Sequence, residues 1–82
     1  MVTILDQNTA TIAVNSKGTF LQSYQSVVAG KTPNGVILSL YWDYSVTTCK
    51  KVCRWLDCTP KEVRENIKSG KFTLVQVNSL EI

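Results

Sequence analysis

The stretch from Val46 to Val77 constrains this chain most, because two helical patterns meet there across a joint of only three residues, Asp57, Cys58 and Thr59. Thr59-Pro60-Lys61-Glu62 fits a capping box. The Thr59 hydroxyl accepts the amide of Glu62, and the Glu62 carboxylate reaches back to the Thr59 amide. Pro60 falls at the first helical position, where a missing N–H is harmless. Val63 and Ile67 form an i, i+4 apolar pair, and Gly70 can take the left-handed conformation that ends a helix. The expected helix runs over 60–69. Upstream, Cys49, Val52, Cys53 and Leu56 recur at i, i+3, i+4 and i+7 as one buried stripe, with Lys50, Lys51, Arg54 and Asp57 on the other side and Trp55 on the border. Ser45 or Thr47 can cap its start. So short a joint turns the two helices sharply onto one shared core. Phe72 to Val77 then reads as a strand or a wing.

The first half reads as extended. Thr3 to Val14 is rich in threonine and β-branched residues, with Ile4, Ile12 and Val14 as expected core side chains. Turns are expected at Asp6-Gln7-Asn8 and Asn15-Ser16-Lys17-Gly18. Thr19 to Ala29 reads as one long strand, placing Phe20, Tyr24 and Val28 on one face and Leu21 and Val27 on the other. Gly30 to Gly35 is the expected hairpin loop, with Asn34-Gly35 supplying positive φ angles. Val36 to Trp42 returns as a strand whose Val36, Leu38, Leu40 and Trp42 side is expected to face the helices. The pattern predicts an α+β fold in a single domain over 1–82: a small antiparallel sheet in the order β-β-β-α-α-β, with the two-helix unit packed on one face. Residues 1–42 form the sheet half and 46–77 the helix-turn-helix-strand half.

At 82 residues the chain is near the lower size at which a core suffices without a staple, and 44% apolar residues are enough to build one. No run is long enough to cross a membrane as a helix, and the start lacks the basic-then-apolar order of a signal peptide. A cytoplasmic protein with no membrane partner is expected, and the initial methionine predicts a complete small gene product. The three cysteines leave at least one unpaired, and there is no histidine. That combination argues against a secreted disulfide framework and leaves a structural zinc site short of its fourth ligand. No metal and no cofactor are expected, and the cysteines read as small apolar residues of a helix face.

Charge is unevenly placed. Residues 50–71 hold Lys50, Lys51, Arg54, Lys61, Arg64, Lys68 and Lys71 against Asp57, Glu62 and Glu65, a local net charge of +4 in a chain of net +3. A basic helical half on a near-neutral sheet is an electrostatic footprint for nucleic acid or for an acidic protein surface. Its alternative is a solvated helix surface laced with pairs such as Lys61–Glu65 and Glu65–Lys68.

Ser23-Tyr24, Val28-Ala29, Asn34-Gly35, Trp42-Asp43-Tyr44-Ser45 and Thr47-Thr48 together resemble a group of small proteins of bacteriophages and other mobile elements. Members of that group carry a serine-tyrosine strand, a hairpin and a (W)DYSxTTxK element leading into a helix. Lys50 is displaced here by one from the usual lysine-histidine position, and the histidine is missing. This resemblance covers roughly residues 19–56 and implies origin rather than activity. A second one covers 46–77. Thr47-Thr48, Val52 and Leu56, Cys58-Thr59-Pro60, Val63 and Ile67, and Gly70 are similar to the winged-helix DNA-binding domains of excisionases and related regulators. It implies a second helix in the major groove exposing Lys61, Arg64, Glu65 and Lys68, with Lys71 meeting phosphate from a wing.

Tyr24, Tyr41, Trp42, Tyr44 and Trp55 form a further candidate surface at the sheet–helix junction. Trp42 and Trp55 are the expected core pair, whereas Tyr41 and Tyr44 are the candidates for exposure and for a protein interface. Catalysis has no support: no histidine, no nucleophile elbow, no glycine-rich phosphate loop, and Glu62 and Glu65 serve as cap and surface residues. Two functions of different classes follow. One is a DNA-binding accessory or regulatory factor using the seven basic residues. The other is a protein-interaction module that inhibits or redirects a bacterial host protein. Homodimerisation through an exposed edge, either Thr19–Ala29 or the N-terminal strand, is compatible with both.

Overall fold

A computed structural model of the chain describes residues 2–6, 8–14 and 16–81. Gln7 and Asn15, which belong to the two expected N-terminal turns, lie outside the described residues. The fold is α+β, with six strands in one sheet and two helices. β1 (Val2–Asp6), β2 (Thr9–Val14), β3 (Gly18–Ser23), β4 (Ser26–Thr32) and β5 (Gly35–Leu38) follow one another. A 3-10 turn over Leu40–Asp43 leads into α1 (Val46–Leu56) and α2 (Pro60–Ser69), and β6 (Phe72–Leu74) returns to the sheet. Strands lie in sequence order. All neighbours are antiparallel except β5 and β6, which are parallel. The sheet is therefore mixed rather than antiparallel, because β6 comes back after a two-helix crossover and must run alongside β5 in the same direction.

Five strands, not three, precede the helices. The expected strand over 19–29 is broken at Tyr24, which takes a left-handed φ of 56° and whose amide donates to the Asn8 carbonyl at 2.6 Å. The chain reverses there into β4. Leu21 pairs with Ala29 but Gln22 pairs with Val27, so Val28 is an extra residue in a β-bulge. That bulge changes the facing: Leu21, Val28 and Ala29 enter the core beneath the helices, while Phe20 and Val27 lie on the opposite face. Thr19–Ala29 is thus interior to the sheet, and of the two expected edges only β1 is one.

At the next hairpin, β4 continues through Gly30 to Thr32, and only Gly35, at φ 122°, supplies a positive angle. The strand expected to reach Trp42 stops at Leu38. Ser39 accepts the Tyr41 amide and opens the 3-10 turn, which buries Trp42 and leaves Leu40 exposed.

The front face, covered by α1 and α2, holds the main core: Leu21, Val28, Ala29, Leu38, Trp42, Val52, Cys53 and Val63. Cys49, Leu56 and Ile67 pack against it only in part. On the back, Phe20 and Val27 are covered by Leu80 of the C-terminal segment. That segment is tied down by the Leu80 amide on the Val27 carbonyl (2.8 Å) and the Val27 amide on Ser79 Oγ (2.9 Å). The back of β1 is bare, with Val2 and Ile4 at 60% and 70% exposure. Ile12 and Val14 are half-buried there.

Both helices are closed by local chemistry. Ser45 caps α1 by accepting the Thr48 amide. Asp57 ends it in the left-handed conformation, with the amides of Asp57 and Cys58 on the carbonyls of Arg54 and Cys53. At α2 the capping box is complete: the Glu62 amide donates to Thr59 Oγ1 (3.2 Å) and the Thr59 amide to Glu62 Oε1 (3.0 Å). The latter bond holds the Glu62 carboxyl below its usual range. Thr59→Ala is expected to lower unfolding free energy by about 1 kcal/mol, read as a shift of the urea midpoint at unchanged slope. An unchanged midpoint would show that the box contributes nothing to stability.

Candidate functional site

Helical spacing places Thr47, Lys50, Lys51 and Arg54 at i, i+3, i+4 and i+7, the stripe of α1 that turns away from the core. All four line one cleft between α1 and the β1–β2 hairpin. The cleft measures about 530 Å³, and Leu5, Thr9, Leu21, Val46 and Trp55 complete its lining. Leu5 reaches it because it is the extra residue where the β1–β2 register shifts between Ile4 and Asp6. Thr9 pairs with Ser23, and the Ser23 hydroxyl shares a hydrogen bond with Thr48 of α1 at 3.2 Å, which puts both on the front face. Thr9 is 5% exposed, and its hydroxyl is a buried polar group with no hydrogen-bond partner among the described residues.

A further cation stands against Trp55, beside this wall. Lys31 of β4 sits with Nζ 4.5 Å from the centroid of the Trp55 ring and donates to the Trp55 carbonyl at 3.1 Å. The sequence does not single it out, because Lys31 falls in the expected hairpin loop, far from the basic segment. Its signal was a lone lysine on the same side of the sheet as Leu21 and Ala29. Lys51 is held over the Tyr24 ring at 5.5 Å, and thereby links α1 to the β3–β4 turn.

The basic residues of the second helix are arranged differently. Lys61, Arg64 and Lys68 are exposed, but Arg64 is turned onto the 3-10 turn. Its Nη2 is 3.7 Å from Asp43 Oδ2 and its guanidinium lies 5.5 Å from the centre of the Trp42 ring. Lys71 precedes a strand that is paired into the main sheet, so it stands at a helix–sheet junction and not on a free wing. Lys50 and Arg64 do share a second hollow, between the start of α1 and Pro60. The seven sequence-derived cations therefore separate: Lys50, Lys51 and Arg54 share the α1 cleft, Arg64 lines the second hollow, Lys61 and Lys68 are exposed on α2, and Lys71 stands at the helix–sheet junction.

The aromatic residues also divide. Trp42 is buried, and Trp55 is half-buried at the edge of the same core. Tyr44 is 72% exposed and tilts against the half-buried Tyr41 with ring centres 4.7 Å apart. With Tyr24, Ser23, Ser45 and Thr48 they line a cleft of about 500 Å³. Here the serine-tyrosine strand and the DYSxTT element meet, joined by the hydroxyl chain Ser23–Thr48–Ser45 with both links at 3.2 Å.

All three cysteines are free thiols. Cys49 and Cys53 sulfurs are 4.0 Å apart, and burial followed by the nearby Cys49 pushes the Cys53 thiol up to about 11. Among the described residues, no group of His, Cys, Asp and Glu side chains is placed to hold a metal ion, and no helix is long and apolar enough to cross a membrane.

Residues 2–71 match the model of a protein family. The chain belongs to that family, a family of unknown function (DUF8033). The DUF8033 match takes in both clefts and both helices and stops just before β6. No curated protein and no solved structure matches the chain.

Proposed function

We propose that this DUF8033 protein is a small, non-catalytic nucleic-acid-binding accessory factor of a phage or mobile element, acting in the cytoplasm of a bacterial host. The observation that carries this is the convergence of Lys50, Lys51 and Arg54 on a single cleft beside Trp55. Three cations on one wall neutralise backbone phosphates, and the half-buried Trp55 beside them, with Lys31 over its ring, offers apolar surface for a base to pack on. The basic helices retain the role expected from the sequence, but α1 replaces α2 as the principal contact, because Arg64 is engaged with Asp43 and Trp42. Lys61, Lys68 and Lys71 add positive potential at longer range.

Titration of the protein into random-sequence DNA at low and moderate salt tests this. Binding is expected to weaken with salt at a log–log slope of about −0.9 per phosphate neutralised on duplex DNA and about −0.7 on a single strand. Absence of binding to either form at low salt would overturn it. Size exclusion on the same sample reads whether two copies pair through the open edge of β1.

A second function rests on a separate observation, the exposed Tyr44 tilted against Tyr41 at the rim of the hydroxyl-lined cleft. Rigid aromatic side chains beside a concavity are the usual anchors of a protein interface, here with a bacterial host protein as partner. Under that function Tyr44→Ala removes capture of the host protein while DNA affinity is unaffected.

A further inference from the structure

We infer that the cleft between α1 and the β1–β2 hairpin takes an unpaired nucleotide of a single strand, not the groove edge of a duplex; this rests on the nucleic-acid function proposed above. Two independent observations point to a ligand there. The first is the wall of Lys50, Lys51 and Arg54 facing apolar Leu5, Val46 and Trp55 across about 530 Å³, a size within the usual range for small-molecule sites. The second is the Thr9 hydroxyl, 95% buried by its 5% exposure and without a hydrogen-bond partner among the described residues. An unsatisfied buried polar group calls for an explanation, and a ligand that supplies the missing hydrogen bond is one.

The chemistry of the lining narrows the ligand class. Cations alone would take any anion, but four of the nine lining residues are aliphatic or aromatic, which calls for a ligand with an anionic end and a flat apolar body. A nucleotide has both. Concavity decides between strand states: duplex readout inserts a protruding element into a DNA groove, whereas a recessed aromatic beside cations receives a base that has left the stack. Thr9 also borders a smaller hollow lined by Ile4, Asn8, Ala10, Gln22, Tyr24 and Gln25. Among the described residues that hollow has no charged side chain in its lining, and the pairing of Thr9 with Ser23 directs Thr9 towards the α1 side. In the bound state the phosphate lies against Lys50, Lys51 and Arg54, the base against Trp55, and the Thr9 hydroxyl hydrogen-bonds a sugar or base oxygen.

The test compares an oligothymidylate of about eight nucleotides with a duplex of equal length, using intrinsic tryptophan fluorescence. The single strand is expected to bind at least about tenfold more tightly, with a salt slope near −2 for three phosphate contacts, and to quench emission. Trp55→Phe is expected to remove the quench while retaining binding, since Trp42 is buried in the core. Thr9→Val is the second variant. It is expected to weaken the single-strand complex about three- to tenfold while leaving thermal stability unchanged or raised, because it deletes an unsatisfied hydroxyl at nearly constant shape. Salt-dependent binding with the duplex equal or tighter would overturn the single-strand assignment and leave the general DNA function standing. So would Thr9→Val with unaltered affinity, or an undiminished quench in Trp55→Phe. Failure to bind either strand form would remove both.

Discussion

Gly18→Ala is expected to lower the unfolding free energy by about 2–6 kcal/mol, a large part of the protein's stability. Gly18 has a φ of 114°, and a Cβ built there would lie 2.0 Å from the Lys31 carbonyl oxygen and 3.0 Å from two further backbone atoms of β4. Neither neighbour can retreat by a side-chain rotation. Gly18 closes the β2–β3 hairpin opposite Val14, and Lys31 is paired on both sides, with Thr19 and Val36. The unfavourable φ contributes about 1–3 kcal/mol and the overpacking about as much again, against a total stability of about 4–12 kcal/mol for a domain of this size. Gly35→Ala separates the two terms. Its φ is 122°, but nothing lies within 4 Å of an added Cβ, so it should lose the conformational term alone. Urea melts of both variants check this. Equal midpoints for the two would show that the crowding at Lys31 relaxes freely.

The same hairpins show where sequence reasoning reached and where it stopped. Both helices were legible because their determinants are local: the Thr59–Glu62 box, Pro60, Gly70 and the stripe at Cys49, Val52, Cys53 and Leu56 act within one or two turns. The break at Tyr24 was not legible, since an aromatic residue is a poor turn former and its left-handed angle is held by a bond to Asn8, sixteen positions upstream. Once that turn was missed, the bulge at Val28 and the facing of Phe20 and Val27 were missed with it. Phe72 to Val77 reads equally as strand or wing because nothing in Phe72–Leu74 encodes a parallel partner; the pairing of β6 with β5 is set by how far the two helices carry the chain. At the candidate site, the cations of α1 were readable from charge and period. The cleft was not, because its opposite wall comes from Leu5 and Thr9 near the N-terminus.

Reversing three charges on α1, with Lys50, Lys51 and Arg54 all changed to Glu, is expected to reduce DNA affinity by at least about a hundredfold and to flatten the salt slope by about two to three. None of the three is buried, so the fold survives, and the loss includes the cation–π contact of Lys51 to Tyr24, worth about 0.5–1 kcal/mol. Circular dichroism and an urea melt verify that. The informative comparison is Lys61→Glu with Lys68→Glu. Both lie on the exposed surface of α2, free of the complication at Arg64, where a glutamate would repel Asp43 at close range. If α1 forms the contact, the α2 pair reduces affinity several-fold through long-range potential, an effect that fades within a Debye length of about 8 Å at physiological salt. A winged helix would reverse the order, with the α2 pair abolishing binding and the α1 triple having the milder effect. Raising salt sharpens the distinction, because screening erases the distant term first and leaves only the side chains that touch phosphate.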